Sequence, residues 1–371
     1  MDQNIFQTNS RCHREIETPQ KIQRQTSLVT GNTKLNSRIF RKGSRISISK
    51  HNFVMAWGGL GDLLGYMASI VWIAKTYKHI EGTVHCLDFF SSIARNLLKD
   101  FPKWHVELIT CQHPMVEIAE QTAPLGYFTW QSLGFVTACK HRVIPLAEGM
   151  HMVDAGFTYF LQQNPPPPEG NFLPELDLSE VKVLELPKRY AVMTPATNVD
   201  GLRKLPSVTF NEIKKHFLKR GITPVFIGKA HEKGHFYFPK EYDYEGGIDL
   251  RNKTSILEAA KIIQGAQCIV GLDNGLLHLA ACTGAVPIVF GYNIVAPEHR
   301  RPRRREGLTL DVHPNPEELT CTFCRSRMRM VNDLQSSHCI YADLKCLEVL
   351  SDLALWTEKI DLALNETNEN P

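Results

Sequence analysis

The sequence predicts an α/β protein of two domains, each a parallel sheet covered by helices, behind a basic N-terminal arm. Three observations carry that prediction. Short apolar runs alternate with helical stretches on both sides of Pro165-Pro166-Pro167-Pro168, glycine turns close several of the runs, and the first fifty residues lack the pattern. At 371 residues the chain is long enough for two separate cores, and 43% hydrophobic with 22% charged residues is ordinary for a globular protein.

Residues 1–50 hold ten Lys/Arg against three Asp/Glu, a balance of +7, so the remainder carries −4 of the net +3. With its Gln, Asn, Ser and Thr content, this arm reads as disordered. Two roles stay open for it: a solvated tail, or attraction to phosphate-rich material such as nucleic acid or an anionic membrane surface.

The first domain spans 51–164. Asn52–Trp57 reads as a strand, Leu63–Tyr77 as a helix, Thr83–Phe90 as a strand, Ser91–Leu98 as a helix and His105–Thr110 as a third strand. Four prolines make 165–172 a stiff linker. The second domain, 173–346, restarts the rhythm with a strand at Tyr190–Met193, a helix at Phe210–Arg220 and a strand at Thr223–Ile227. Next come a helix at Ser255–Gln264, strands at Cys268–Val270 and Ala285–Phe290, and between those a short helix from Leu276 to Thr283. Residues 347–371 form a terminal helix and tail, and the helix reads continuously from Lys345 to Leu364. Two such domains place a ligand in the cleft at the carboxyl ends of their sheets.

The segment Gly271-Leu272-Asp273-Asn274-Gly275-Leu276-Leu277-His278-Leu279-Ala280 carries most of the chemistry. Asp273, Asn274 and His278 are polar groups in apolar surroundings, where desolvation calls for a partner. The turn suits a phosphate-bearing ligand. A helix cap and a satisfied core histidine are the alternative. Earlier, Gly59-Leu60-Gly61-Asp62-Leu63-Leu64 lacks the third glycine of a dinucleotide fingerprint, and the Asp62 carboxylate would repel a pyrophosphate there. This turn therefore does not read as a cofactor-diphosphate site, and by its place alone Asp62 reads as a helix cap.

Together these segments resemble the ADP-heptose:lipopolysaccharide heptosyltransferases, glycosyltransferase family 9, over about Asn52–Leu347. Asn274 stands where that family has Ser or Thr. The resemblance implies two Rossmann-like domains facing a central cleft, the GT-B type, with a terminal helix packing back across it. It implies an inverting transferase in which Asp62 is the catalytic base and Gly59 and Gly61 shape an acceptor-side turn. Thr194, Thr197, Lys204 (or Arg203 in its place), Glu232, Asp273, Asn274, Gly275 and His278 would hold the nucleoside diphosphate. The family-typical donor is ADP-heptose, a co-substrate rather than a cofactor, and the acceptor is lipopolysaccharide core.

The sequence contains no Asp-x-Asp pair for a metal-bound diphosphate and no P-loop, which points to metal-independent transfer. Arg300, Arg301, Arg303, Arg304 and Arg305 form either a solvated loop or a contact for an anionic acceptor. Cys321, Cys324, Cys339 and Cys346 are either a structural zinc set or reduced thiols. Ten cysteines without a leader segment and the lack of a spanning apolar run predict a cytoplasmic protein, with peripheral membrane contact left open. Two further functions stay open: sugar transfer onto DNA, suggested by the basic arm, and non-catalytic binding of a nucleotide-sugar.

Overall fold

The computed structural model describes residues 50–55, 59–109, 127–129, 151, 153, 173–194, 203–228, 242–323, 339 and 344–369. Within them, the side chains of 50–55, 62, 66, 109, 127–129 and 368–369 are left aside. The arm before Lys50 and the proline linker lie outside the described residues.

Two parallel sheets organise the chain. The first contains β1 (Lys50–Met55), β2 (Glu81–Leu87), β3 (Trp104–Ile109) and β4 (Tyr127–Thr129) in the order β3-β2-β1-β4. Helices α1 (Leu60–Thr76) and α2 (Asp88–Leu98) make its crossovers. The second contains β5 (Tyr190–Thr194), β6 (Thr223–Phe226), β7 (Ile248–Asp249), β8 (Ile269–Leu272), β9 (Ile288–Gly291) and β10 (Thr309–Val312) in the order β10-β9-β8-β5-β6-β7. Its helices are α3 (Ser207–Lys219), α4 (Ile256–Gln264), α5 (Gly275–Ala280) and the single turn α6 (Pro297–Arg300), followed by α7 (Lys345–Val349) and α8 (Leu353–Glu369).

Each order reverses once. The chain builds outward from β5 through β6 and β7, then returns to the other side of β5 with β8. That return makes the gap between the carboxyl ends of β5 and β8 a topological switch point, where neighbouring loops diverge and a ligand has room. The first sheet has the same feature between β1 and β4.

Strand residues of the second sheet alternate between two cores. Val192, Val225, Ile269, Ile288 and Phe290 face a cluster that contains α1, α2, α4 and α5, while Met193, Phe226, Val270 and Val289 face one with α3 and α8. Both faces are covered, which is why these strands read as continuous apolar runs rather than alternating ones. The first core spans both sheets: α1 packs on α5 and α2 on α4.

Element ends follow local chemistry. Ser255 and Glu258 form a reciprocal capping box that fixes the start of α4. The terminal helix is broken where the sequence predicts continuity. The chain leaves helix at Leu350–Asp352, where Asp352 accepts a hydrogen bond from Ala354 N–H and so starts a new helix. The Leu350 carbonyl released by the break accepts from Trp356 Nε1 at 3.0 Å and Thr209 Oγ1 at 3.3 Å. Helix α8 then lies on α3, β9 and β10, the outer face of the second sheet, rather than across a cleft. No described helix is long and apolar enough to cross a membrane.

Candidate functional site

The two glycine turns singled out in the sequence meet in space. Helix α1 begins with the Gly59 carbonyl accepting Leu63 N–H, so Asp62 is the third residue inside the helix and not its cap. An acid in this first turn is favoured by the helix dipole. Helix α5 starts at Gly275, and its first turn touches that of α1. A Cβ on Gly275 would lie 2.7 Å from Leu60 Cβ and 3.1 Å from the Gly61 nitrogen. A Cβ on Gly61 would lie 2.6 Å from His278 Cδ2. One helical turn on, Gly65 and Ala68 face Ala281 and Cys282 around a cavity of about 30 Å³, room for one water. The glycines of the first turn therefore serve close helix contact, which accounts for the incomplete dinucleotide fingerprint.

Asp273 is the electrostatic centre. It is 4% exposed, accepts a bond from Arg203 Nη1 at 3.1 Å, and has His278 Nε2 at 3.7 Å, beyond hydrogen-bond length. Burial pushes the carboxyl up, but the charge of Arg203, with His278 and Arg300 behind it, holds it well below the usual carboxylate range. His278 Nε2 is buried with no hydrogen-bond partner among the described residues, and its ring stands edge-on to Phe290.

Asn274 caps α5 by accepting Leu276 N–H at 2.9 Å. Its Nδ2 donates to the carbonyls of Thr194 and Leu272, both at 2.8 Å. A Ser or Thr hydroxyl has one proton and cannot bond both carbonyls. Asparagine thus stitches the end of β8 to the end of β5 across the switch point. Gly271 allows this approach, since a Cβ there would lie 2.2 Å from the Thr194 oxygen.

Of the residues expected to hold a donor, Thr194, Asp273, Asn274, Gly275 and His278 come together at the switch point, with Thr194 buried at the end of β5. Arg203 is brought to Asp273, whereas Lys204 is exposed. Thr197, Glu232 and the Asp62 side chain lie outside the described residues.

The arginine loop is built into the fold more than its sequence suggests. Arg300 is buried, and Arg301 pairs with Asp311. Arg304 donates to the carbonyls of Gly284, Val286, Leu308 and Glu306. Arg305 pairs with Glu175 at 2.5 Å. His151, which nothing in the sequence singles out, is buried against this loop and donates from Nε2 to the Arg301 carbonyl at 2.8 Å. Cys321 and Cys339 are half-buried and Cys346 is buried, while Cys324 lies outside the described residues. Among the described residues, no three His, Cys, Asp or Glu side chains cluster as a metal site.

The sequence model of glycosyltransferase family 9 (heptosyltransferase) matches residues 126–302, a span that ends within the arginine loop and contains every residue expected from the sequence to hold a donor. The match covers 177 of the 371 residues, and over that span the chain is similar to the family 9 glycosyltransferases. Solved structures agree in fold. The iron-containing dodecameric glycosyltransferase TibC from enterotoxigenic E. coli H10407 is 16% identical, with a TM-score of 0.62 over 86% of this chain and 77% of that one. A family 9 glycosyl transferase from Veillonella parvula DSM 2008 is 13% identical, with a TM-score of 0.59 over 88% of this chain and 100% of its own. E. coli ADP-heptose lps heptosyltransferase II is 15% identical, with a TM-score of 0.53 over 84% and 99%. A comparison with curated protein sequences found no match. The GT-B arrangement of two facing α/β units is thus shared with family 9 structures.

Proposed function

We propose that this chain is an inverting glycosyltransferase that moves a sugar, typically heptose in this family, from a nucleoside diphosphate to an acceptor hydroxyl of lipopolysaccharide core or a related glycan. The observation that carries the reading is the meeting of the two turns: Gly61, next to Asp62, lies against His278, which faces Asp273. TibC has been crystallised with ADP-D-beta-D-heptose, and that donor is the first candidate here.

In this reading Asp62 removes the proton of the attacking hydroxyl as its oxygen bonds the anomeric carbon. The bond from that carbon to the diphosphate oxygen breaks, and the nucleoside diphosphate departs with the electron pair. Arg203 and Lys204, with Thr194, Thr197 and the Asp273–Gly275 turn, meet the charge that develops on the leaving group. His278 joins the groups that hold the diphosphate, and Glu232 sits at the ribose. Side chains replace a divalent ion in this chemistry, consistent with a sequence that contains no Asp-x-Asp pair.

Cys321, Cys324, Cys339 and Cys346 are ordinary reduced cysteines in this reading, with a structural zinc set apart from catalysis as the alternative. The burial of Cys346 and the partial burial of Cys321 and Cys339 would suit shielded ligands in that alternative. Metal analysis of the purified protein, with Cys324→Ser beside it, decides between the two.

Asp62→Asn tests the transfer step. Turnover of ADP-heptose with a core acceptor should fall by about 10²–10⁴-fold while donor affinity is kept. Unchanged turnover would remove Asp62 from the mechanism.

A further inference from the structure

The segment that leads into the second sheet is tied to both halves of the molecule. Leu176 and Leu178 are buried while Glu175 and Asp177 are exposed, the two-residue alternation of an extended chain. With Leu173, the two leucines enter the core that α1, α2, α4 and α5 share between the sheets. We propose that residues 173–178 are a clasp that holds the two units closed before any ligand arrives, so that a nucleotide binds at the switch point without domain rotation. The consequence for the donor rests on the transferase reading above; the clasp itself does not.

Toward the first unit, Asn96 of α2 takes up both backbone groups of Asp177. Its Nδ2 donates to the Asp177 carbonyl at 2.7 Å, and its Oδ1 accepts Asp177 N–H at 3.0 Å. A side-chain amide can satisfy one extended residue in this way as a neighbouring strand would. Lys99, one turn further along, pairs with the Asp177 carboxylate, whose Oδ1 also accepts Ser179 N–H at 3.0 Å. Toward the second unit, Leu176 N–H donates to the Cys282 carbonyl, just beyond α5, at 2.9 Å. Arg305 donates to the Leu173 carbonyl at 3.3 Å and pairs with Glu175 at 2.5 Å.

Units joined by a small polar interface move against each other by default, whereas an extensive apolar one holds them. Here the joint is apolar, with α1 on α5 and α2 on α4. Leu173 and Pro174 also wall the small cavity beside Gly61 and His278, so the clasp lies directly behind the meeting of the two turns. Opening the units there would expose the leucines and break both Asn96 bonds. Closing them further is blocked, because the space left is about 30 Å³ and Gly275 already lies against Leu60.

Small-angle X-ray scattering of the full chain, free and with saturating ADP, reads closure, and hydrogen–deuterium exchange at the Leu176 and Asp177 amides reads the clasp. The two scattering curves should superimpose, and both amides should be protected already in the free protein. A smaller radius of gyration with ADP, or amides protected only with ADP, would overturn the proposal. Asn96→Ala removes both bonds to Asp177 and should speed exchange of the Asp177 amide about tenfold or more. Unchanged exchange in that variant would equally overturn the clasp. Calorimetry on the same samples keeps the two readings apart. If ADP fails to bind, the donor reading falls, while protection in the free protein and its loss in Asn96→Ala still decide the clasp.

Discussion

Asp273 illustrates how one buried carboxylate organises its neighbours. Its charge is kept in a nearly water-free position by Arg203 at 3.1 Å, with Arg300 and His278 contributing. Removing one partner of such a pair costs about 3–5 kcal/mol, because the other charge is left uncompensated. In the proposed function a diphosphate would compete with Asp273 for Arg203, so the same guanidinium would serve stability and binding. His151 provides a separate pH test. Its pKa is held at about 3 by burial and by Arg303, against about 6.5 in the unfolded chain. Between those values the unfolded chain binds the proton and the folded one does not, so stability falls as pH drops through this window. From pH 7 to 5 the wild type should lose about 2 kcal/mol more than His151→Gln, measured by denaturant unfolding. Equal losses would show that His151 is not held neutral. Asp273, Asn274 and His278 were legible as polar residues in an apolar run. The charge of Arg300 near Asp273 and the role of His151 were not, because they depend on an electrostatic influence 27 positions away and a hydrogen bond to the Arg301 carbonyl 150 positions away.

Helices α1 and α5 show what the glycines are for. Gly61 and Gly275 let the two first turns touch, and the contact brings the turn at Gly59–Gly61 to the turn at Asp273–Gly275. Gly275→Ala would press a methyl against Leu60 Cβ at 2.7 Å, where backbone rather than a flexible side-chain end must yield. Overpacking of this kind costs about 1–3 kcal/mol. Thermal or denaturant unfolding should show that loss together with reduced turnover; unaltered stability would mean the turns are not in contact. Hydrophobic periodicity and glycine placement made most helices and strands legible in the sequence. Strands β7 and β10 were missed because Ile248–Asp249 is two residues long and Thr309–Val312 is only partly buried, leaving little apolar pattern. The split between α7 and α8 was missed because the leucines on either side keep helical spacing across Ser351-Asp352, while the helix start depends on the Asp352 side chain.

At the scale of the molecule, both sheets reverse their strand order once, and the loops at those reversals hold the two glycine turns. The core shared by α1, α2, α4 and α5 fixes the turns against each other. The alternating elements made a two-sheet α/β fold readable from sequence, and the order of motifs suggested the donor side. The facing of the turns was not readable, since it depends on packing between helices more than two hundred residues apart. The account stands or falls on a nucleoside diphosphate at the second reversal. Calorimetric titration of ADP, UDP and GDP into the wild-type protein and Arg203→Ala tests this directly. The account predicts saturable binding of one nucleotide in preference to the others, weakened about tenfold or more by the loss of the guanidinium. Absence of binding by all three, or equal binding by both proteins, would contradict it.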